Sequence, residues 1–372
     1  MDSTEVCSLA RRTLRVALIG QGFMGRAHSN AWRQVTRFFD VPFDIDCRVV
    51  CARNRDLLAD MAARWEWKEI STDWREVVER PDVDAVDICT PNASHSEIAL
   101  AAAQTGKIVL CEKPLAMSVD EARRMTVAAR GVRNMVWFNY RRVPAVSFAR
   151  QLISEGRIGT AFHYRGRYLQ EWGNDPTRPK SWKTDRATAG SGVLGDLLSH
   201  AVDLALWLNG AIDSVCALQK TFAAQRDVDD ATLALARFAN GSVGTLEATR
   251  YATGCRNHNI FEVHGSGGML RFNLEDLNHL EFLDASEPRH LQSPRRLLVT
   301  GPDHPYSANF WKPGHAVGYE HTFIAALADF LAALADGAEY HPDFEDGLKV
   351  QCVLEAIAQS ASSERWVGIN QA

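Results

Sequence analysis

A chain of 372 residues, 46% hydrophobic and 23% charged, has the composition of an ordinary globular protein and the length of two domains. Its net charge of −5, with lysines and arginines scattered rather than blocked, excludes an electrostatic nucleic-acid binder and predicts no attraction to a membrane surface. No run approaches the ~18 apolar residues of a membrane span, and residues 1–20 lack an apolar core of signal-peptide length.

Residues 1–142 alternate short apolar strands with helices. Strands are predicted at 14–20, 47–52, 84–90, 107–112 and 135–140. Helices are predicted from Gly25, over 56–65, over the Ala-rich 95–104, and after Ser118-Val119-Asp120-Glu121, which reads as a capping box. Short apolar strands separated by helices imply a parallel, doubly wound sheet. Past residue 143 the rhythm changes. Helices at 143–155 and 195–209 are followed by longer alternating strands at 214–223, 232–238, 242–252 and 261–275. Asn240-Gly241 is a strong hairpin turn between two of them. The pattern of 143–372 suits a second α/β domain with a large, mostly antiparallel open sheet, closed by helices at 319–335 and 344–364. Residues 286–313, rich in Pro, His and Gly, read as a long ordered loop.

Three stretches carry chemistry. The first strand runs into Gly20-Gln21-Gly22-Phe23-Met24-Gly25 and then a helix, the context in which GxGxxG binds a dinucleotide. Gly20 permits the tight turn, Gly22 lets the backbone approach a pyrophosphate, and Gly25 allows close helix–strand packing. Phe23 and Met24 then open the helix whose free N–H groups face the phosphates. NAD-selective sites place an acid near the end of the second strand to hold the ribose 2′-OH. Here that strand ends Cys51-Ala52-Arg53-Asn54-Arg55, so Arg53 is expected to pair with a 2′-phosphate and NADP is favoured over NAD.

The fourth strand ends in Glu112-Lys113-Pro114. A lysine at the carboxyl end of a doubly wound strand lies where ligands of such sheets bind. Pro114 restricts the backbone beyond it, with its peptide bond open to either cis or trans. In the second half, Gly190-Ser191-Gly192-Val193-Leu194-Gly195 leads into Asp196 and, one helical turn on, His200, on an otherwise apolar helix. Hydride transfer from a carbinol needs a base for the hydroxyl proton, a cation for the developing alkoxide and a group to orient them. Histidine's pKa suits the first task near neutral pH.

Together these residues, with Thr90-Pro91-Asn92 and His95, resemble the glucose–fructose oxidoreductase / inositol dehydrogenase / rhizopine-catabolism (Gfo/Idh/MocA) family over nearly the whole chain. The resemblance implies a Rossmann domain at 1–142 and a substrate-binding and oligomerisation domain at 143–372. It further implies nicotinamide-dependent oxidation of sugar or cyclitol hydroxyls in the cytoplasm. It assigns catalysis to Lys113, Asp196 and His200, and cofactor binding also to Thr90, Asn92, His95, Glu112 and Lys113. The large sheet's outer face would join a homodimer or homotetramer. Within the family the chain is similar to the levoglucosan dehydrogenase type, with oxidation at C3 implied. An inositol dehydrogenase, or a member that keeps its cofactor for redox-cycling glycoside chemistry, is the alternative. Two departures from the levoglucosan type are Arg53, where that type has an acid, and a shorter segment between Phe222 and Asp229.

Tyr140, Gln170, Trp172 and Trp182 suit a sugar site, since C–H faces of sugars pack on aromatic rings while phenol and amide groups hydrogen-bond hydroxyls. Tyr319 and His321 read as a helix-end surface pair. Twelve histidines form no HxxxH or HExxH pattern, so no catalytic metal is expected. Eight dispersed cysteines without a CxxC pair read as reduced, buried thiols.

Overall fold

The structure, a computed structural model, describes residues 11–175, 177–224 and 226–369. Six strands form an all-parallel sheet: β1 (Arg12–Ile19), β2 (Phe43–Cys51), β3 (Glu69–Ser71), β4 (Ala85–Ile88), β5 (Ile108–Cys111) and β6 (Asn134–Val136), in the order β3-β2-β1-β4-β5-β6. This is the doubly wound Rossmann order, whose ligand crevice opens at the carboxyl ends of β1 and β4. Val16, Ala17, Leu18 and Ile19 are all at most 2% exposed, as expected of a strand covered on both faces. On one face Ala17, Ile19, Val86 and Ile88 pack with Ile98, Ala102 and Met125. On the other, Leu14, Val16 and Leu18 pack with Trp32 and Val35 of helix Phe23–Phe38 and with Phe323, Leu327 and Leu331 of helix Tyr319–Asp336. A helix from the far end of the chain thus completes the first sheet.

The second sheet has nine strands: β7 (Ala161–Leu169), β8 (Ile212–Lys220), β9 (Ala231–Phe238), β10 (Val243–Thr249), β11 (His258–Gly265), β12 (Gly268–Asn273), β13 (His279–Asp284), β14 (Arg295–Leu298) and β15 (Val367–Gly368). Their order is β14-β13-β12-β11-β7-β10-β9-β8-β15, antiparallel except for the β7–β10 pair. The predicted hairpin at Asn240-Gly241 joins β9 to β10, with Gly241 at φ 85°. Its inner face packs on helices Ser199–Asn209 and Phe344–Ser363. Among the described residues none forms a layer on the outer face, leaving Leu218, Leu233, Leu235 and Val243 47–64% exposed.

Three expectations change. The central strand β7 has no place in the predicted pattern, because Arg165, Gly166 and Arg167 dilute its alternation; Tyr164 and Tyr168 nevertheless point into the core. The expected loop 286–313 contains β14 as an edge strand and a helical turn, Ser307–Phe310. The predicted capping box is half made: Ser118 Oγ accepts the Glu121 N–H, but Glu121 reaches the N–H of Met117 rather than of Ser118. No helix of the described residues is long and apolar enough to cross a membrane. The seven described cysteines are free, Cys216 and Cys255 only half-buried, and Cys7 lies outside the described residues.

Candidate active site

The glycine loop is shaped as its spacing predicts. Gly20 has φ 128°, and a Cβ there would meet the Cys89 carbonyl oxygen at 2.5 Å; a Cβ on Gly25 would meet the Gly20 carbonyl oxygen at 2.4 Å. A side chain at Gly20 would push the loop away from the tip of β4, and one at Gly25 would push the helix off the loop. A Cβ on Gly22, by contrast, meets nothing within 4 Å. Gly22 is also the N-cap of helix Phe23–Phe38, and no side chain caps its amides. Uncapped N–H groups at a positive dipole end, beside open space, fit a pyrophosphate. Phe23 and Met24 continue from the loop into the wall of the neighbouring cavity.

At the tip of β5, Glu112 and Lys113 face different ways. Glu112 is 5% exposed and turns inward. Its Oε1 lies 3.0 Å from His28 Nε2, and its Oε2 accepts the Lys113 backbone N–H at 3.0 Å. His28 Nδ1 lies 3.0 and 3.1 Å from the two Asp87 oxygens, which also accept indole N–H groups of Trp32 (2.8 Å) and Trp137 (2.9 Å). Burial alone would push the imidazole's pKa down, but the two carboxylates outweigh it and hold it up at about 9. A buried carboxylate–imidazolium–carboxylate row therefore ties the phosphate-loop helix, β4 and the β5 tip together. The Lys113-Pro114 peptide bond is cis.

Lys113 Nζ leaves the tip for the second half of the chain. It donates to the Asp196 carbonyl oxygen at 2.8 Å and lies 3.4 Å from Asp196 Oδ1. Asp196 sits in a π-helical turn, Leu194–Leu198, that precedes helix Ser199–Asn209. Such widened turns recur at functional sites, and the carbonyl that bonds Lys113 lies within this one. Asp196 is ringed by cations: Lys183 Nζ at 3.0 and 3.1 Å and Arg250 Nη2 at 3.0 Å. Burial would raise its pKa, but Lys183, Lys113 and Arg250 together hold it well below the usual carboxylate range. His200 is pushed the other way: burial, then the Lys113 charge, hold its imidazole well below its ordinary pKa. At neutral pH the site thus pairs an ionised Asp196 with a neutral, proton-accepting His200.

Lys113, Lys183, Asp196 and His200 line one cavity of about 400 Å³, with Arg250 buried behind Asp196. Of the predicted site residues, Phe23, Met24, Glu112, Lys113, Tyr140, Gln170, Trp172, Asp196 and His200 border it. The Tyr140 ring lies 4.5 Å from the His200 ring. Its hydroxyl is 3.0 Å from that of Tyr168, which donates to Asn257 Oδ1, as does the Gln170 amide. Trp172 donates to Gln170 Oε1 at 2.6 Å.

Other predicted contacts stand elsewhere. His95 is fully buried, its nitrogens 3.0 Å from the carbonyl oxygens of Pro114 and Thr90, so it braces the loop beyond Lys113. Asn92 donates to the Ala189 carbonyl oxygen, and the Thr90 hydroxyl accepts from Ser94. Trp182 is 39% exposed and does not border the cavity, whereas its neighbour Lys183 does. Arg53 lies exposed beyond β2, with no partner among the described residues. Tyr319 is no surface residue: it lines the cavity, stacked on Phe23, while His321 packs against Phe310.

The sequence reading missed Lys183, Arg250, Tyr168 and Asn257. Among the described residues the one His/Asp group spaced to hold a metal, His341, Asp343 and Asp346, borders no part of this cavity; Asp346 is already paired with Arg141.

Among known proteins, residues 14–140 match an oxidoreductase family with an NAD-binding Rossmann fold, and residues 146–271 match the GFO/IDH/MocA C-terminal domain. The chain is 40% identical to a levoglucosan dehydrogenase of Pseudarthrobacter phenanthrenivorans, over 97% of its own length and 99% of that protein's. Its fold matches levoglucosan dehydrogenase in complex with NADH and levoglucosan with a TM-score of 0.95 at 41% identity, covering 97% of this chain and 100% of that one. An oxidoreductase domain protein from Kribbella flavida is similar, with a TM-score of 0.94, 46% identity, and coverage of 96% of this chain and 100% of that one.

Proposed function

The chain belongs to the GFO/IDH/MocA oxidoreductase family, and from that membership we infer a nicotinamide-dependent dehydrogenase that oxidises a secondary hydroxyl of a sugar, foremost C3 of a levoglucosan-like anhydrosugar. One observation carries the reading: Lys113, Asp196 and His200 border the same cavity as Phe23 and Met24 of the phosphate loop. Residues 1–142 would serve the cofactor and 143–372 the substrate. The bound nicotinamide supplies a hydride acceptor. The loop amides at Gly22–Gly25 hold its pyrophosphate. His200, kept neutral, takes the hydroxyl proton as the carbon gives up its hydride, and Lys113 stabilises the oxygen as negative charge develops on it. Tyr140, Gln170 and Trp172 seat the sugar ring.

A screen of levoglucosan, glucose, simple glycosides and inositols with NAD and NADP, read as reduced-nicotinamide absorbance, tests the reading. Turnover is expected with levoglucosan above the others. Turnover with inositols alone moves the assignment to a cyclitol dehydrogenase, and none with any of them refutes it.

Cofactor choice turns on Arg53. The exposed guanidinium beyond β2, where NAD-selective sites carry an acid, supports an NADP reading, while the similar levoglucosan dehydrogenase carries NADH in its complexes. NADP is expected to be the better substrate by kcat/KM. Arg53→Ala should reverse this by removing a charge-assisted hydrogen bond worth about 10- to 100-fold. A clear NAD preference in the unsubstituted enzyme sinks the idea.

The bare face of the second sheet supports a homo-oligomer. Leu218 lies opposite Leu233 across the β8–β9 ladder, beside exposed Leu235 and Val243, an apolar patch that a second copy would cover. Leu233→Glu with Leu235→Glu should lower the sedimenting mass to that of a monomer. An unchanged mass places the interface elsewhere.

A further inference from the structure

Lys183 lines the cavity without any signal in the motifs. It rides on the short turn Trp182–Thr184, which Ser181 and Thr184 close by reciprocal hydrogen bonds. Its ammonium meets both carboxylate oxygens of Asp196, and Lys113 meets Oδ1 and the carbonyl oxygen of the same residue. Two ammonium groups thus share one carboxylate. Each has three N–H donors, and each finds only two acceptor atoms among the described residues, both on Asp196. Arg250, 0% exposed, closes the back of that carboxylate, so its remaining open side faces the cavity.

We propose that Lys183 and Asp196 together read a second hydroxyl on the carbon beside the one oxidised, making the enzyme specific for vicinal diols; this rests on the dehydrogenase reading above. Lys183 can only donate and ionised Asp196 can only accept, and the two lie 3.0 Å apart. A group that contacts both must do both. A hydroxyl does; a ketone or ether cannot donate, an ammonium cannot accept, and a carboxylate would be repelled by Asp196. Lys113 and Lys183 lie 3.4 and 3.0 Å from the same oxygen, Asp196 Oδ1, so the two substrate oxygens they would hold are close neighbours, as on adjacent carbons. The first oxygen, between Lys113 and His200, loses its proton; the second, at Lys183, keeps its own and orients the ring.

The test crosses two enzymes with two kinds of substrate: the unsubstituted enzyme and Lys183→Met, on levoglucosan and its monodeoxy analogues. Lys183 is 42% exposed in its side chain, so the variant is expected to fold, checked by its Tm. The unsubstituted enzyme should lose about 10- to 100-fold in kcat/KM on the analogue lacking the neighbouring hydroxyl. Lys183→Met should lose as much on levoglucosan itself, chiefly through KM, and then treat the two sugars alike. Lys183→Arg should restore part of the preference. A Lys183→Met enzyme with unchanged KM, or with the full preference intact, overturns the proposal and leaves the dehydrogenase reading standing. If no sugar is turned over, the dehydrogenase reading falls, and calorimetric titration of both enzymes with the same sugars decides the rest. Loss of the parent-over-deoxy preference in the variant upholds the diol clamp; its retention, or no binding at all, overturns it.

Discussion

Lys113→Met is expected to lower kcat by about 10²–10³-fold, the usual cost of removing one preorganised donor from a developing oxyanion. The position in which the ammonium is held sets this effect. Lys113 is anchored to the π-turn carbonyl of Asp196 on one side and, through its own backbone N–H, to Glu112 on the other. Methionine keeps the chain's bulk and loses the charge with its N–H donors. Asp196 retains Lys183 and Arg250, so the fold and the cofactor's Kd should hold. The pH profile offers a second, independent reading. Burial and then the Lys113 charge depress the His200 pKa well below 6.5. A base must be unprotonated to act, so the acid limb of kcat/KM should lie well below that value in the unsubstituted enzyme. In Lys113→Met one depressing cause is gone, and the limb should move to higher pH. Near-normal turnover, or a limb that stays in place while turnover falls, contradicts the assignment of Lys113 beside His200.

What the sequence disclosed was local, and what it hid was direction and distance. The glycine loop, the Glu112-Lys113-Pro114 tip and the Asp196/His200 spacing each lie within a few residues, and each ends up at the cavity. A strand tip tells that a residue is there, not which way it turns. Glu112 was expected at the cofactor, yet both its oxygens are engaged by His28 and by the Lys113 N–H. His95, at the start of the helix that follows the neighbouring strand β4, has its ring nitrogens against backbone carbonyls. Trp182 and Lys183 differ by one position on a tight turn, and it is the lysine that reaches Asp196. Arg250 follows β10 and Asn257 precedes β11, far along the chain, and they act at Asp196 and Tyr168 only through the register of the nine-stranded sheet. The helix Tyr319–Asp336 has an apolar pattern that says it is buried but not on which sheet, so Tyr319 was placed at the surface rather than in the cavity.

His28→Leu should be the most destabilising single substitution near the site. His28 and Asp87 are each 0% exposed, and Glu112 is 5% exposed. Two carboxylates share one imidazolium, and Asp87 draws further on the indoles of Trp32 and Trp137. Leucine fills much of the space but leaves both carboxylates buried without their cation, a loss on the order of 3–5 kcal/mol. The pH dependence identifies the cause. The His28 pKa is about 9 in the folded protein against an ordinary 6.5. A raised pKa contributes stability that is complete below 6.5 and disappears as pH rises through about 9, here roughly 3 kcal/mol. The Tm gap between the unsubstituted enzyme and His28→Leu should therefore be widest below pH 6.5 and narrow above pH 9. A gap that is absent, or equal on both sides of that window, means the imidazole carries no charge in the fold. Because Glu112 also holds the Lys113 amide, the folded fraction of the variant should show a lower kcat with little change in cofactor KM. A cavity defect in the Trp32 and Trp137 core would produce the Tm loss without either the pH window or the kcat effect, so the three measurements separate a charged brace for Lys113 from ordinary packing.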